Sequence, residues 1–212
     1  MTVDLVVKVG GSLLARDDLA ALVASLSEAA ASSRIVVVPG GGPFADAVRS
    51  VTERHDPGDS ASHWMAILAM DQHAHLLAGL CPEGRLVASV AGIAATVERG
   101  RLAILAPFNW LRGEDPTPHG WHVTSDSIAA WVAARLAARR LVLLKSVDGA
   151  LDEAGAVLAE ASVSSPGVRK VVDDYFPQAL EQGLECWILS GRHPERLREL
   201  LRTGRATGTR VR

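Results

Sequence analysis

Apolar residues along the chain fall into short continuous runs that alternate with longer runs at helical spacing. Residues 3–9 are nearly all apolar and β-branched, as in a strand buried on both faces of a parallel sheet. Leu19, Leu22, Val23 and Leu26 recur at helical spacing and predict a helix over residues 17–31. Residues 34–38 repeat the strand pattern, Pro39-Gly40-Gly41-Gly42-Pro43 breaks it, and a helix is predicted from 44 to 53. Strand, helix, strand, glycine turn, helix is the order of a doubly wound α/β sheet. Right-handed crossovers would set both glycine turns at the carboxyl ends of their strands, where such sheets bind ligands.

After a turn-rich break at 55–60, Ser62 is expected to cap a helix running through Trp64, Met65, Ile67, Leu68 and Met70 to 77 or 80. It is apolar around much of its circumference, so it is either central or a subunit interface, and a homo-oligomer is expected. Residues 85–90 suit a strand or a helix, and 101–106 a strand. Residues 107–122 form a long irregular segment rich in Pro, Gly, Trp and His, the kind that is functional or disordered, and its two tryptophans argue for function. A helix is predicted over 124–139, a strand over 141–144, a turn or hairpin over 152–158, and helices near 168–173 and 176–182. A strand at 184–189, a helix at 194–201 and a closing strand at 207–211 complete one three-layer α/β/α sandwich with a mostly parallel sheet.

Composition changes this picture little. At 212 residues with 48% hydrophobic positions, the chain suits one domain with a full core. The net charge of −2 gives no general attraction to nucleic acid or an anionic membrane, so neither is an expected partner. The arginine-rich end (Arg196, Arg198, Arg202, Arg205, Arg210, Arg212) reads as a solvated face. No apolar run approaches a membrane span, and Asp4 stands where a leader would be basic, so a soluble cytoplasmic protein is expected. Cys81 and Cys186 lack metal-like spacing and read as inert thiols.

Lys8 is the odd residue in the first strand. A charge in a buried strand is costly unless a partner offsets its desolvation. The strand then runs into Gly10-Gly11-Ser12, and such a turn presents bare N–H groups to an anion. Phosphate handling follows as the expectation, although Gly10-Gly11 alone would equally suit a structural turn.

Four separated pieces stand in order: Lys8-Val9-Gly10-Gly11-Ser12, Gly40-Gly41-Gly42, Thr124-Ser125-Asp126-Ser127 opening an alanine-rich helix, and Lys145-Ser146-Val147-Asp148-Gly149. The set resembles the amino acid kinase superfamily, which includes carbamate, acetylglutamate, aspartate, UMP and isopentenyl phosphate kinases. The resemblance implies an ATP-dependent phosphotransferase using Mg²⁺, with the acceptor held by about residues 1–123 and ATP by about 124–212. It implies that Lys8 contacts the transferring phosphoryl group and that Asp126 orients the lysines. Gly10, Gly11, Ser12, Lys145, Asp148 and Gly149 would lie on ATP, and Gly40, Gly41 and Gly42 on the acceptor. No metal site built from protein side chains is expected, since Mg²⁺ favours phosphate oxygens and few protein ligands. Asp71, His73 and His75 do not share one helix face, so they make a poor joint metal site.

Within the superfamily, His63 stands where UMP kinases place a nucleoside-binding aspartate, and prolines flank the glycine loop where isopentenyl phosphate kinases place a histidine. The run from His63 to Gln72, with Gly120-Trp121-His122-Val123 leading into Thr124, is similar to the small subgroup linked to methanofuran biosynthesis. That resemblance implies phosphorylation of 5-(aminomethyl)-3-furanmethanol phosphate to its diphosphate. A furan with an ammonium group would suit aromatic walls (Trp64, Trp110, Trp121) and a carboxylate (Asp46 or Asp71), and the acceptor phosphate would suit Arg49. His63, Thr124 and Ser125 complete the expected substrate set. Another small-acceptor kinase (for UMP, isopentenyl phosphate or an amino acid) and a non-catalytic ATP- or oxyanion-storage protein remain open alternatives.

Overall fold

The computed structural model describes residues 2–212. Its strands are β1 (Leu5–Val9), β2 (Ile35–Pro39), β3 (Arg85–Val87), β4 (Ala103–Leu105), β5 (Arg140–Lys145), β6 (Glu160–Ala161), β7 (Glu185–Ser190) and β8 (Thr209–Val211). The helices are α1 (Leu19–Ala30), α2 (Gly42–His55), α3 (Asp59–Gly79), α4 (Val90–Val97), α5 (Phe108–Glu114), α6 (Ser125–Arg135), α7 (Pro166–Arg169), α8 (Phe176–Ala179) and α9 (Pro194–Thr203). The strands make one sheet in the order β3-β4-β2-β1-β5-β7-β8-β6, so it runs unbroken through both halves of the chain. Neighbours are parallel except β7 and β8. The chain passes from β1 to β2 on one side and later returns as β5 on the other. A reversal of this kind opens a crevice beyond the carboxyl ends of the strands.

Alternation along the strands divides the core into two layers. Leu5, Val7 and Val9 face α1 and α9, packing with Leu22, Leu26, Leu197 and Leu200. Val6 faces the other way, with Val38, Leu141 and Leu143, onto α3, α6 and α8. Both free cysteines are buried. No helix of the described residues is long and apolar enough to cross a membrane.

Several elements differ from the sequence expectation, each for a local reason. The helix expected to start at Ser62 begins at Asp59, behind Gly58 at φ 85°. The Ser62 hydroxyl, inside the helix, donates to the Gly58 carbonyl instead of capping. The ambiguous stretch near 85–90 is a short strand followed by α4, whose cap Ser89 accepts from the Gly92 N–H. The segment 107–122 contains a helix, α5. Beyond Arg135 the expected helix stops, because Ala137 turns to φ 47° and the chain enters β5. Alanine and arginine favour helix there, and the sheet overrides them.

Phe176 is fully buried against the layer containing Ile128 and Ala129 of α6. Phe176→Ala is expected to cost about 3–5 kcal/mol of stability by chemical denaturation. A loss under about 1 kcal/mol would show that α8 does not support α6.

Candidate functional site

Strand alternation places two lysines on one face. Lys8 follows Val6 on the layer facing α6, and Lys145 follows Leu141 and Leu143 onto that same layer. Lys8 pairs with Leu143 in the parallel register, so Lys145 lies two residues further toward the carboxyl end. Asp126, in the first turn of α6, meets both. Its Oδ1 lies 2.9 Å from Lys8 Nζ, and its Oδ2 accepts a hydrogen bond from Lys145 Nζ at 2.5 Å. Asp126 and Lys8 are only 3% and 5% exposed, so water screens little of this charge. Burial alone would raise the Asp126 carboxyl, but the ammonium groups of Lys8 and then Lys145 outweigh it and hold the group below its usual range. Burial, then the like charge of Lys8, pushes Lys145 down to about 8.

The glycine turns meet directly beside this pair of cations. Gly10 N–H and Gly40 N–H continue the sheet by donating to Leu144 O and Val9 O. A Cβ on Gly11 would fall 2.2 Å from Gly42 N, and Gly42 itself stands at φ +54°. Only glycine permits that approach and that backbone. Among the described residues, the N–H groups of Gly11, Ser12, Gly41 and Gly42 find no acceptor in the protein. Free amides at adjoining turns are anion donors.

A cavity of about 580 Å³ opens over these groups. Lys8, Gly10, Gly11, Ser12, Gly41, Gly42, Thr124, Ser125, Asp126 and Lys145 line it, and Asp46, Arg49, His63 and Trp121 form much of the rest. The Arg49 guanidinium lies 4.1 Å from the centre of the Trp121 ring. Asp46 and Arg49 are exposed whereas Lys8 and Asp126 are buried, so the cavity runs from a solvent side to a buried cationic centre. His63 stacks on His119, and burial followed by the like charge of His119 pushes its imidazole down to about 4, leaving it neutral.

Other expected residues stand elsewhere. Trp64 is buried in the core, edge-on to Phe108 and His119, and is not part of the cavity wall. Trp110 packs on Trp131. Asp71 accepts the Phe108 N–H and so caps α5. Asp148 pairs with Arg196 at 2.7 Å and, with Gly149, lies outside the cavity. Gly149 abuts Thr209, whose hydroxyl oxygen accepts the Ala150 N–H and so ties the β5 exit to β8. Gly40 contributes through its carbonyl, which accepts from His73.

No motif in the sequence marks Asp173. Its carboxylate accepts from the N–H and hydroxyl of Thr124 and from the N–H and hydroxyl of Ser127. This holds the start of α6, and with it Asp126, from a segment nearly fifty residues away. Only the local pairing of Asp173 with Asp174 ahead of a short helix is visible in the sequence, and it does not name the target.

A buried cationic pair oriented by one carboxylate, next to free amides, can bind and neutralise an oxyanion whose charge grows during reaction. Among the described residues no group of three or more His, Cys, Asp or Glu could hold a metal ion.

A model of the amino acid kinase family matches residues 5–163. The chain is 32% identical over 203 residues to the [5-(aminomethyl)furan-3-yl]methyl phosphate kinase of Methanocaldococcus jannaschii, covering 92% of each chain. It is 26% identical to a uridylate kinase of Methanospirillum hungatei, covering 98% of this chain and 94% of that one. Among solved structures, uridylate kinase from Archaeoglobus fulgidus superposes with a TM-score of 0.76 at 20% identity, covering 99% of this chain and 100% of that one. UMP kinase from Ureaplasma parvum gives a TM-score of 0.76 at 16% identity, covering 99% of each. At such identities these two structures speak to the fold alone.

Lys145 supplies a pH test. Its folded value lies below the ordinary lysine value, and a bound anion favours the charged form, so binding raises it again. Oxyanion affinity should be full below pH about 8 and should fall as pH rises through that value, by up to about tenfold per pH unit. Calorimetric titration of inorganic triphosphate into wild type and Lys145→Arg separates this from ionisation of the ligand. The wild-type affinity should fall faster than that of the arginine variant, and parallel curves would show that Lys145 keeps its charge throughout.

Proposed function

The chain belongs to the amino acid kinase family, and from that premise we propose that it transfers the γ-phosphoryl group of ATP to [5-(aminomethyl)furan-3-yl]methyl phosphate. The observation that carries the reading is the charge layout of one cavity: Lys8 and Lys145 fixed on buried Asp126, with Arg49, Asp46 and Trp121 on its solvent side. The full-length similarity to a kinase for that acceptor supports it.

The free amides and two ammonium groups fit a triphosphate. Mg²⁺ carried on its oxygens would neutralise charge between the donor phosphates. Lys8 and Lys145 stabilise the charge spread over the equatorial oxygens as the phosphoryl group passes in line. Asp126 pairs with both lysines and aims them, and with both oxygens engaged it has no proton-abstracting role. An acceptor phosphate is already largely ionised at neutral pH, so none is required. Arg49 receives that phosphate, the Trp121 face packs on the furan ring, and Asp46 takes the ammonium. The residues before about 124 hold the acceptor, and those after it hold the nucleotide.

A UMP kinase is the second reading, favoured by the uridylate kinase relative. An ATP-consumption assay comparing the aminomethylfuran phosphate with UMP, isopentenyl phosphate and amino acids decides between them. The furan phosphate should lead in kcat/KM by at least about tenfold. A preference for UMP would sink the proposal, and ATP binding without any turnover would favour storage. Asp126→Asn should lower kcat by about a hundredfold or more, with circular dichroism unchanged. Arg49→Ala should raise the acceptor KM by about tenfold or more and leave the ATP KM in place.

A further inference from the structure

His73 is fully buried on α3, and no part of the scheme above uses it. Its Nδ1 lies 2.6 Å from the carbonyl oxygen of Gly40, the first glycine after β2. A carbonyl only accepts, so Nδ1 carries the proton and donates. Nε2 is then a bare acceptor, and it has no partner in the protein among the described residues. Burial pushes the imidazole down to about 4, against the opposing effect of the Gly40 bond, so the ring stays neutral.

We propose that His73 is a positioning residue for the acceptor-side anion site, acting by fixing the orientation of the Gly40–Gly41 peptide. The carbonyl of Gly40 and the N–H of Gly41 belong to one planar trans unit and point in opposite directions. With the oxygen tied back to α3, the Gly41 N–H cannot turn inward. Gly41 lines the cavity, and its N–H has no acceptor in the protein.

The turn needs such a tie because glycines hold their backbone weakly. Gly40 N–H is already fixed on Val9 O, so the His73 bond completes the clamp on this residue. A flipped Gly40–Gly41 peptide would present a carbonyl oxygen to the incoming anion in place of a donor. The inference rests on the phosphotransferase reading of this turn, but not on which acceptor phosphate binds.

The test follows backbone amides of the ¹⁵N-labelled protein during titration with inorganic phosphate, for wild type, His73→Asn and His73→Leu. Asparagine places a donor near the Nδ1 position, whereas leucine fills the space with none. The Kd read at the Gly41 amide should rise about tenfold or more in His73→Leu and return to within about threefold of wild type in His73→Asn. In the kinetic assay the leucine variant should raise the acceptor KM and leave the ATP KM unchanged.

The proposal is overturned if Gly41 ignores phosphate in wild type, if the leucine variant titrates like wild type, or if asparagine and leucine lose equally. Should His73→Leu fail to fold, His73→Gln replaces it, since its amide reaches the Nε2 position. Equal behaviour of the Asn and Gln variants would then refute the orientation argument. A failed substrate assignment looks different: no turnover of the furan phosphate while Gly41 still responds to phosphate.

Discussion

Two ammonium groups and one carboxylate, held away from water, leave one uncompensated positive charge at the carboxyl end of the sheet. Burying charge is unfavourable, and burial, then the like charge of Lys8, pushes the Lys145 ammonium down to about 8. The arrangement becomes favourable when an oxyanion supplies the missing negative charge in the same low-dielectric setting. The architecture serves to assemble it. The register of β1 with β5 puts both lysines on one face, and the first turn of α6 brings Asp126 between them. Asp173 then holds that turn from outside by accepting four hydrogen bonds.

The second constraint is the contact between the two glycine turns. On the proposed reading, donor and acceptor oxygens approach within reacting distance, and the backbones that would bind them nearly touch. Gly11 and Gly42 meet where a side chain on either would collide with the other's main chain. The glycines after β1 and β2 are thus two halves of one wall, and α3 anchors the second half through His73.

Where the chemistry lies in local pattern, the sequence reveals it. Lys8 stands out because a charge interrupts a β-branched run before two glycines, whereas Asp126 at the start of an alanine-rich helix takes its role from the resemblance. The α/β alternation and nearly every strand follow from period and punctuation. Residues that act across long separations are another matter. His73 reaches Gly40 over 33 positions, and Asp173 reaches Ser127 over 46. Nor does composition say which ring of an all-round apolar helix faces the cavity: on α3, Trp64 turns into the core while its neighbour His63 lines the wall. Asp71 and Asp148 carry suitable chemistry, yet the Phe108 amide and Arg196 engage them outside the cavity. The resemblance puts Lys145 on ATP, and the β1–β5 register sets it beside Asp126.

Kinases for a furan phosphate and for UMP both align with this chain over nearly its whole length, so the shared fold leaves acceptor choice to the cavity wall. The solvent side of that wall is built from Gly120, Trp121 and Val123, at the end of the segment from Asp115, with Asp46 and Arg49 of α2 facing them. His119 ties that segment down through Asp115 and Ser60, and Tyr175 N–H holds it at the His122 carbonyl. The contact of Arg49 with the Trp121 ring is a weak one, because the guanidinium is exposed. An exposed guanidinium over an indole is worth about 0.5–1 kcal/mol, whereas a hydrogen bond to a charged group is worth about 1.5–3 kcal/mol. On the proposed reading, a phosphate entering from the solvent side would outcompete the Trp121 face for Arg49. Its release would then uncover the ring for a flat, apolar group, so that charge and aromatic recognition would be engaged in the same movement.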